Sequence, residues 1–145
     1  MKKSEPFYLL PWVFKYLSLI LLIPGVILFY IRFIQNIKFA FLDWKVFAIQ
    51  SKFIESKSWT FIKNNMSEEI IGICLLVGLY FLAFSREKVE TEKTNELRLQ
   101  SFLLTIFINT ILLVLSYLLV FGVSFIWVTI VEPFAVLLIY YIIFR

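Results

Sequence analysis

Apolar runs separated by short polar breaks make up nearly the whole chain, and the longest run comes last. Residues 97–144 contain no charged side chain except Arg98 and Glu132. Gly122, in Phe121-Gly122-Val123-Ser124, is the one place suited to a reversal. The pattern predicts a helical hairpin, with helices over about 96–121 and 123–144, each long enough to cross a bilayer. A first apolar segment predicts a helix over about 11–31. Pro11 suits its first turn, where a missing N–H is not needed, and Pro24-Gly25 predicts a kink past its middle. A further helix is predicted over about 67–93. Its apolar part, residues 70–84, is short for a span and needs its flanks or local thinning to complete it. Ser67 is the expected N-cap, with Glu68 and Glu69 at the positive end of the helix dipole.

Residues 32–66 are the only stretch with room for structure outside lipid, yet they keep many aromatics, among them Phe41, Trp44, Phe47, Phe53, Trp59 and Phe61. Residues 41–49 alternate: Leu42, Trp44, Val46 and Ala48 fall on one face, and Asp43, Lys45, Phe47 and Ile49 on the other. Residues 58–63 are a second strand candidate. The segment reads as a small hairpin lying against the membrane surface; the alternative is one amphipathic interfacial helix. The expected fold class is an all-α membrane protein of four transmembrane helices, with a short extramembrane loop, as a single membrane domain over residues 1–145.

Composition strengthens that expectation. The apolar share is 61%, against roughly 45–50% in soluble domains, so lipid is the expected solvent. The single cysteine, Cys74, excludes an internal disulfide and reads as a packing residue. With no histidine, the usual general base and commonest metal ligand are missing. No phosphate-binding glycine loop, metal-ligand cluster or nucleophile–base pair is visible, so neither an enzyme nor a cofactor is expected. The net charge of +4 is spread between segments, which suits anionic lipid rather than nucleic acid. Met1-Lys2-Lys3 lacks a small-residue cleavage site downstream and reads as a flank of helix 1. Lys15 is expected to snorkel to the head groups. The density of basic residues near helix ends places both termini and the charged hairpin at 85–100 in the cytoplasm of a bacterium, with the chain in its inner membrane. Arg32, at the end of helix 1, opposes that bias.

Two groups of residues stand out. The charged hairpin carries Arg86, Glu87, Lys88, Glu90, Glu92 and Lys93, a candidate surface for a soluble partner or simply a solvated face. Arg86–Glu90 and Lys88–Glu92 have the spacing of helical ion pairs, which extends helix 2 to residue 93. Glu92 and Glu96 would repel at that same spacing, so a break is expected at Thr94-Asn95, with Asn95 capping helix 3. Within the apolar hairpin, Ser101, Thr105, Asn109 and Ser116 fall within about 80° on helix 3. Ser124, Val128, Glu132 and Ala135 share a sector of helix 4. A turn at Gly122 sets Glu132 opposite Leu112-Leu113, with Asn109 and Ser116 about one turn away on either side. A carboxyl withdrawn from water favours its neutral form, so Glu132 is expected to donate to Asn109 or to a backbone carbonyl such as that of Thr129, freed by Pro133. Glu132, Asn109, Ser116 and Thr105 form the candidate intramembrane polar site. A structural hydrogen bond or oligomer contact, and a proton, ion or ligand site, are both open readings of it.

Phe84-Ser-Arg-Glu-Lys-Val-Glu90, Leu97-Arg-Leu-Gln-Ser101 and Trp44-Lys-Val-Phe-Ala-Ile49 are similar to an uncharacterised family of small four-helix integral membrane proteins of Bacteroidota. The resemblance runs from Ile23-Pro-Gly25 to helix 3 and is weakest in helix 4. It implies an architecture and no activity. The functional expectation is an accessory, sensory or regulatory subunit that acts through protein contacts, in a homo-oligomer or a larger membrane complex. The alternative is an oligomeric transporter or channel subunit that uses Glu132. In size and helix count the chain resembles the small multidrug exporters, but their essential acid lies in the first helix, and helix 1 here has none.

Overall fold

A computed structural model describes residues 9–50 and 58–145. Met1-Lys2-Lys3 and Phe53 lie outside the described residues. The elements follow in the order α1 (Phe14–Phe29), a π-helical turn (Tyr30–Ile34), a 3-10 turn (Ala40–Leu42), β1 (Asp43–Gln50), β2 (Ser58–Asn65), α2 (Ser67–Phe84), α3 (Glu92–Leu119) and α4 (Ser124–Phe144). The chain is therefore mainly helical, with one small antiparallel sheet between the first two helices. With its π-helical extension α1 spans 21 residues, α2 spans 18, α3 28 and α4 21, and all four are long and apolar enough to cross a membrane. At about 1.5 Å per residue, the shortest reaches about 27 Å, close to the thickness of a hydrocarbon core.

The chain groups into two compact units: Met1–Leu22 with Leu75–Arg145, and Ile23–Cys74. The second unit is organised by its hairpin. β1 and β2 pair antiparallel, with Asp43 opposite Asn65, Lys45 opposite Lys63 and Phe47 opposite Phe61. The strand reading of this loop holds, and the interfacial-helix alternative does not. Phe47 meets Phe61 edge-on at 5.4 Å and Trp59 edge-on at 6.1 Å between ring centroids. Such cross-strand aromatic pairs stabilise a ladder too short to stand alone in water. The backbone N–H of Met66 donates to the carbonyl of Leu42 (3.0 Å), closing the base of the hairpin. Arg32 forms an ion pair with Glu68, in the first turn of α2. Ser67 does not serve as the expected cap. Its own N–H donates to Asn65 Oδ1 (3.3 Å), and Asn65 is held in place by its Nδ2, which donates to the Phe39 carbonyl (2.9 Å) and to Asp43 Oδ1 (2.7 Å).

In the first unit, segments of all four helices interlock. Phe14 meets Phe81 edge-on at 4.9 Å. Phe84, Tyr140 and Phe144 stack in sequence. Gly78 leaves room for Leu22: a Cβ added there would lie 2.8 Å from Leu22 Cγ. α2 ends at Phe84 and does not continue to residue 93. The competing interaction is long-range. Leu10 bridges to Ser85 in parallel, with Leu10 N–H donating to the Phe84 carbonyl (3.0 Å) and Arg86 N–H to the Leu10 carbonyl (2.8 Å). Two backbone hydrogen bonds outweigh helical ion pairs worth about 0.3–0.5 kcal/mol each. The cap of α3 also differs from expectation. Thr91, not Asn95, caps it, its Oγ1 accepting from Thr94 N–H (3.2 Å). Gly122 makes the α3–α4 turn with φ +67°, a left-handed conformation that glycine takes without steric cost.

Candidate functional site

α3 and α4 come together along the polar stripe. Asn109 Nδ2 donates to Glu132 Oε1 at 3.0 Å, so the amide is the donor, the reverse of the expected direction. Both side chains are only half-buried. They line an open groove of about 430 Å³ whose remaining walls are mainly apolar, including Leu112, Leu113, Trp127 and Val131. Ser116 also lines the groove, but its hydroxyl donates to the Leu112 carbonyl (2.9 Å). Thr105 does not reach the groove. It is fully buried and donates to the Ser101 carbonyl (2.7 Å). The expected four-residue site thus reduces to a carboxyl–amide pair, with one serine along its wall.

The charged hairpin divides in the same way. Glu87 turns inward and forms an ion pair with Lys15. Lys15 is therefore paired with a carboxylate. Burial pushes the Glu87 carboxyl up, but the hydrogen bond and charge of Lys15, with Arg145 and Arg98, more than offset this and hold it below its ordinary value. Glu90 Oε1 accepts from Glu87 N–H (2.9 Å) and from Arg98 Nη2 (2.8 Å). Arg86, Lys88, Glu92 and Lys93 stay exposed. The helical pairs Arg86–Glu90 and Lys88–Glu92 do not form, because their residues fall largely outside any helix.

Arg98 is the residue that sequence reasoning passed over. It is 7% exposed, donates to the Ser85 carbonyl (3.2 Å) as well as to Glu90, and packs its guanidinium 4.5 Å from the centroid of the Phe144 ring. Its Nε and Nη1, and the second oxygen of Glu90, have no partner among the described residues. A usable signal was present. At 100° per residue Arg98 falls within the same sector of α3 as Ser101, Thr105, Asn109 and Ser116. Its neighbours on that stripe, Ser101 and Thr105, are buried with it.

Among the described residues no three His, Cys, Asp or Glu side chains converge as a metal cluster. The architecture defines a class no narrower than mainly helical chains with, among the described residues, four helices long and apolar enough to span a membrane. Comparisons with protein-family models, with curated proteins and with solved structures find no match to this chain.

Proposed function

We propose that this chain is a four-span protein of a bacterial inner membrane, without catalytic activity, that works as an accessory or regulatory subunit. Its α3–α4 groove is the seat for another membrane-embedded helix. The observation that carries this reading is the half-buried Glu132 carboxyl in an open, otherwise apolar groove. A carboxyl left facing acyl chains costs several kcal/mol, whereas a partner helix that offers a hydrogen-bond donor removes much of that cost. The exposed apolar residues of the α3–α4 turn support immersion in lipid: Leu119, Phe121 and Val123 are each more than 70% exposed. The clustering of Lys15, Arg86, Lys88 and Arg145 supports a cytoplasmic location for that end of the helices.

The test is crosslinking in native membranes through a single cysteine at Val131, in a Cys74→Ser background. Adducts that form in the parent and disappear with Glu132→Leu support the groove as a protein seat. Efficient labelling of the position by a lipid-soluble reagent, with no protein adduct in either form, counts against it.

The same groove supports a second reading, transport. A carboxyl reachable from an open cleft can exchange a proton or hold a cation. Glu132→Gln preserves an acceptor for Asn109 and removes the exchangeable charge. Liposome flux that survives this change excludes the carboxyl from a transport mechanism.

A further inference from the structure

The unit made of Met1–Leu22 and Leu75–Arg145 has a second concavity, of about 170 Å³, far from Glu132 in composition. Four basic side chains line it, Lys15, Arg86, Lys88 and Arg145, against one acidic side chain, Glu87. Lys15 is already paired with Glu87. Arg86, Lys88 and Arg145 have no carboxylate partner among the described residues. Two of these three are nonetheless held in place. Lys88 Nζ sits 5.4 Å from the centroid of the Trp12 ring, and Arg145 Nε donates to the Tyr141 hydroxyl at 3.3 Å, with its guanidinium 5.9 Å from that ring. The third, Arg86, is anchored through its backbone, whose N–H donates to the Leu10 carbonyl. Like charges that line one pocket repel one another, and an anion bound between them relieves that repulsion.

We propose that this pocket binds the phosphate of an anionic glycerophospholipid. The inference rests on the membrane reading above. α1 begins and α4 ends beside the pocket, so in a bilayer its mouth lies at head-group depth. Trp12 and Tyr16 meet edge-on at 5.8 Å along its wall. These are the side chains favoured at that depth, with an apolar ring toward the tails and a polar edge toward water. Basic pockets between spanning helices on the cytoplasmic side suit such head groups. Glu87 does not defeat the site. Its carboxylate is occupied by Lys15, and it positions that ammonium at the pocket wall. A zwitterionic head group brings its own cation and gains less from Arg86, Lys88 and Arg145, which form no ion pair among the described residues.

The full chain, purified in detergent, is titrated with phosphatidylglycerol, phosphatidylcholine or inorganic phosphate, and retained adducts are read by native mass spectrometry. Phosphatidylglycerol is expected to be retained about tenfold better than phosphatidylcholine, a difference of about 1.4 kcal/mol. Lys88→Gln with Arg145→Gln is expected to abolish that preference. Lys88→Arg with Arg145→Lys keeps it and shows that charge, not fold, is being read. Glu92→Gln with Lys93→Gln, outside the pocket, leaves it unchanged. Equal retention of the two lipids, or a preference that survives the double Gln variant, overturns the proposal. Inorganic phosphate binding with no lipid preference overturns it as well, by making the site one for a soluble anion. Alkaline washing of native membranes is scored separately. A chain that washes off refutes the membrane reading itself; one that stays embedded but shows no lipid preference refutes only this pocket.

Discussion

The helix pair α3–α4 carries two polar sites on otherwise apolar helices, and they are finished to different degrees. Arg98 and Asn109 lie three turns apart on the same stripe of α3. Arg98 is covered, with Glu90 and the Ser85 carbonyl meeting its Nη2 and Phe144 against its guanidinium, while its Nε and Nη1 stay without a partner among the described residues. Tyr140, stacked between Phe84 and Phe144, is itself only 3% exposed. Asn109 and Glu132 meet each other and little else, in a groove that stays open. The difference teaches that a polar group in an apolar helix is no functional signal by itself. A covered, paired charge locates the elements around it. A half-covered carboxyl leaves an interaction to be completed by another molecule, which is why the functional proposal rests on Glu132 and not on Arg98.

The largest expected effect tests the covered site. Arg98→Ala leaves Glu90 without its cation and should lower stability by about 3 kcal/mol, read by unfolding in mild detergent. Adding Glu90→Leu to Arg98→Met should recover most of that loss, because the buried charge is then removed rather than stranded. Loss as large from Glu132→Leu as from Arg98→Ala would erase the contrast between the sites. That substitution is expected to cost only about 1 kcal/mol, the price of leaving the Asn109 amide unmet. Glu132→Gln, which retains the acceptor, should leave the unfolding midpoint unchanged while altering adduct formation or flux.

Gly122→Ala sharpens the comparison from the open side. Nothing lies within 4 Å of an added Cβ, but φ is +67°. The expected loss of about 1 kcal/mol is therefore purely conformational. It should loosen the α3–α4 turn, detectable as faster amide exchange there, without disturbing the Arg98 cluster. The smallest effect concerns pH. Glu87 is depressed in the folded state below its ordinary 4.5. Its contribution is present above that value and is lost as pH falls through the lower folded one. Thermal melts below about pH 4.5 should therefore separate the parent from Glu87→Gln, whose acid sensitivity is reduced. Parallel acid profiles would remove Glu87 from the charged end's stability.

Much of the helical pattern was legible because long apolar runs leave few alternatives. The turn at Gly122 and the Asn109–Glu132 encounter followed from helical geometry once a hairpin was assumed. The strands were legible from the alternation in residues 41–49 and their aromatic content. The charged hairpin was misread because the spacing of Arg86, Lys88, Glu90 and Glu92 matches helical pairs, and local spacing contains no information about Leu10, whose backbone occupies the groups at Phe84 and Arg86 instead. Thr105 was misplaced for a related reason. Its angular sector was right, but what lies against that sector changes along the helix.

The amino-acid sequence on its own determined the number of long apolar helices, the hairpin between the first two, and which polar residues share a face, because these depend on periodicity and on composition over short windows. Only the tertiary structure decided that Arg98 is covered while Glu132 stays half-open, that Glu87 turns toward Lys15, and that α2 stops at Phe84. Each of those outcomes depends on which distant segment arrives to cover or pair a group. Periodicity assigns a side chain to a face of its helix, and only the packed chain supplies the atoms that meet it there.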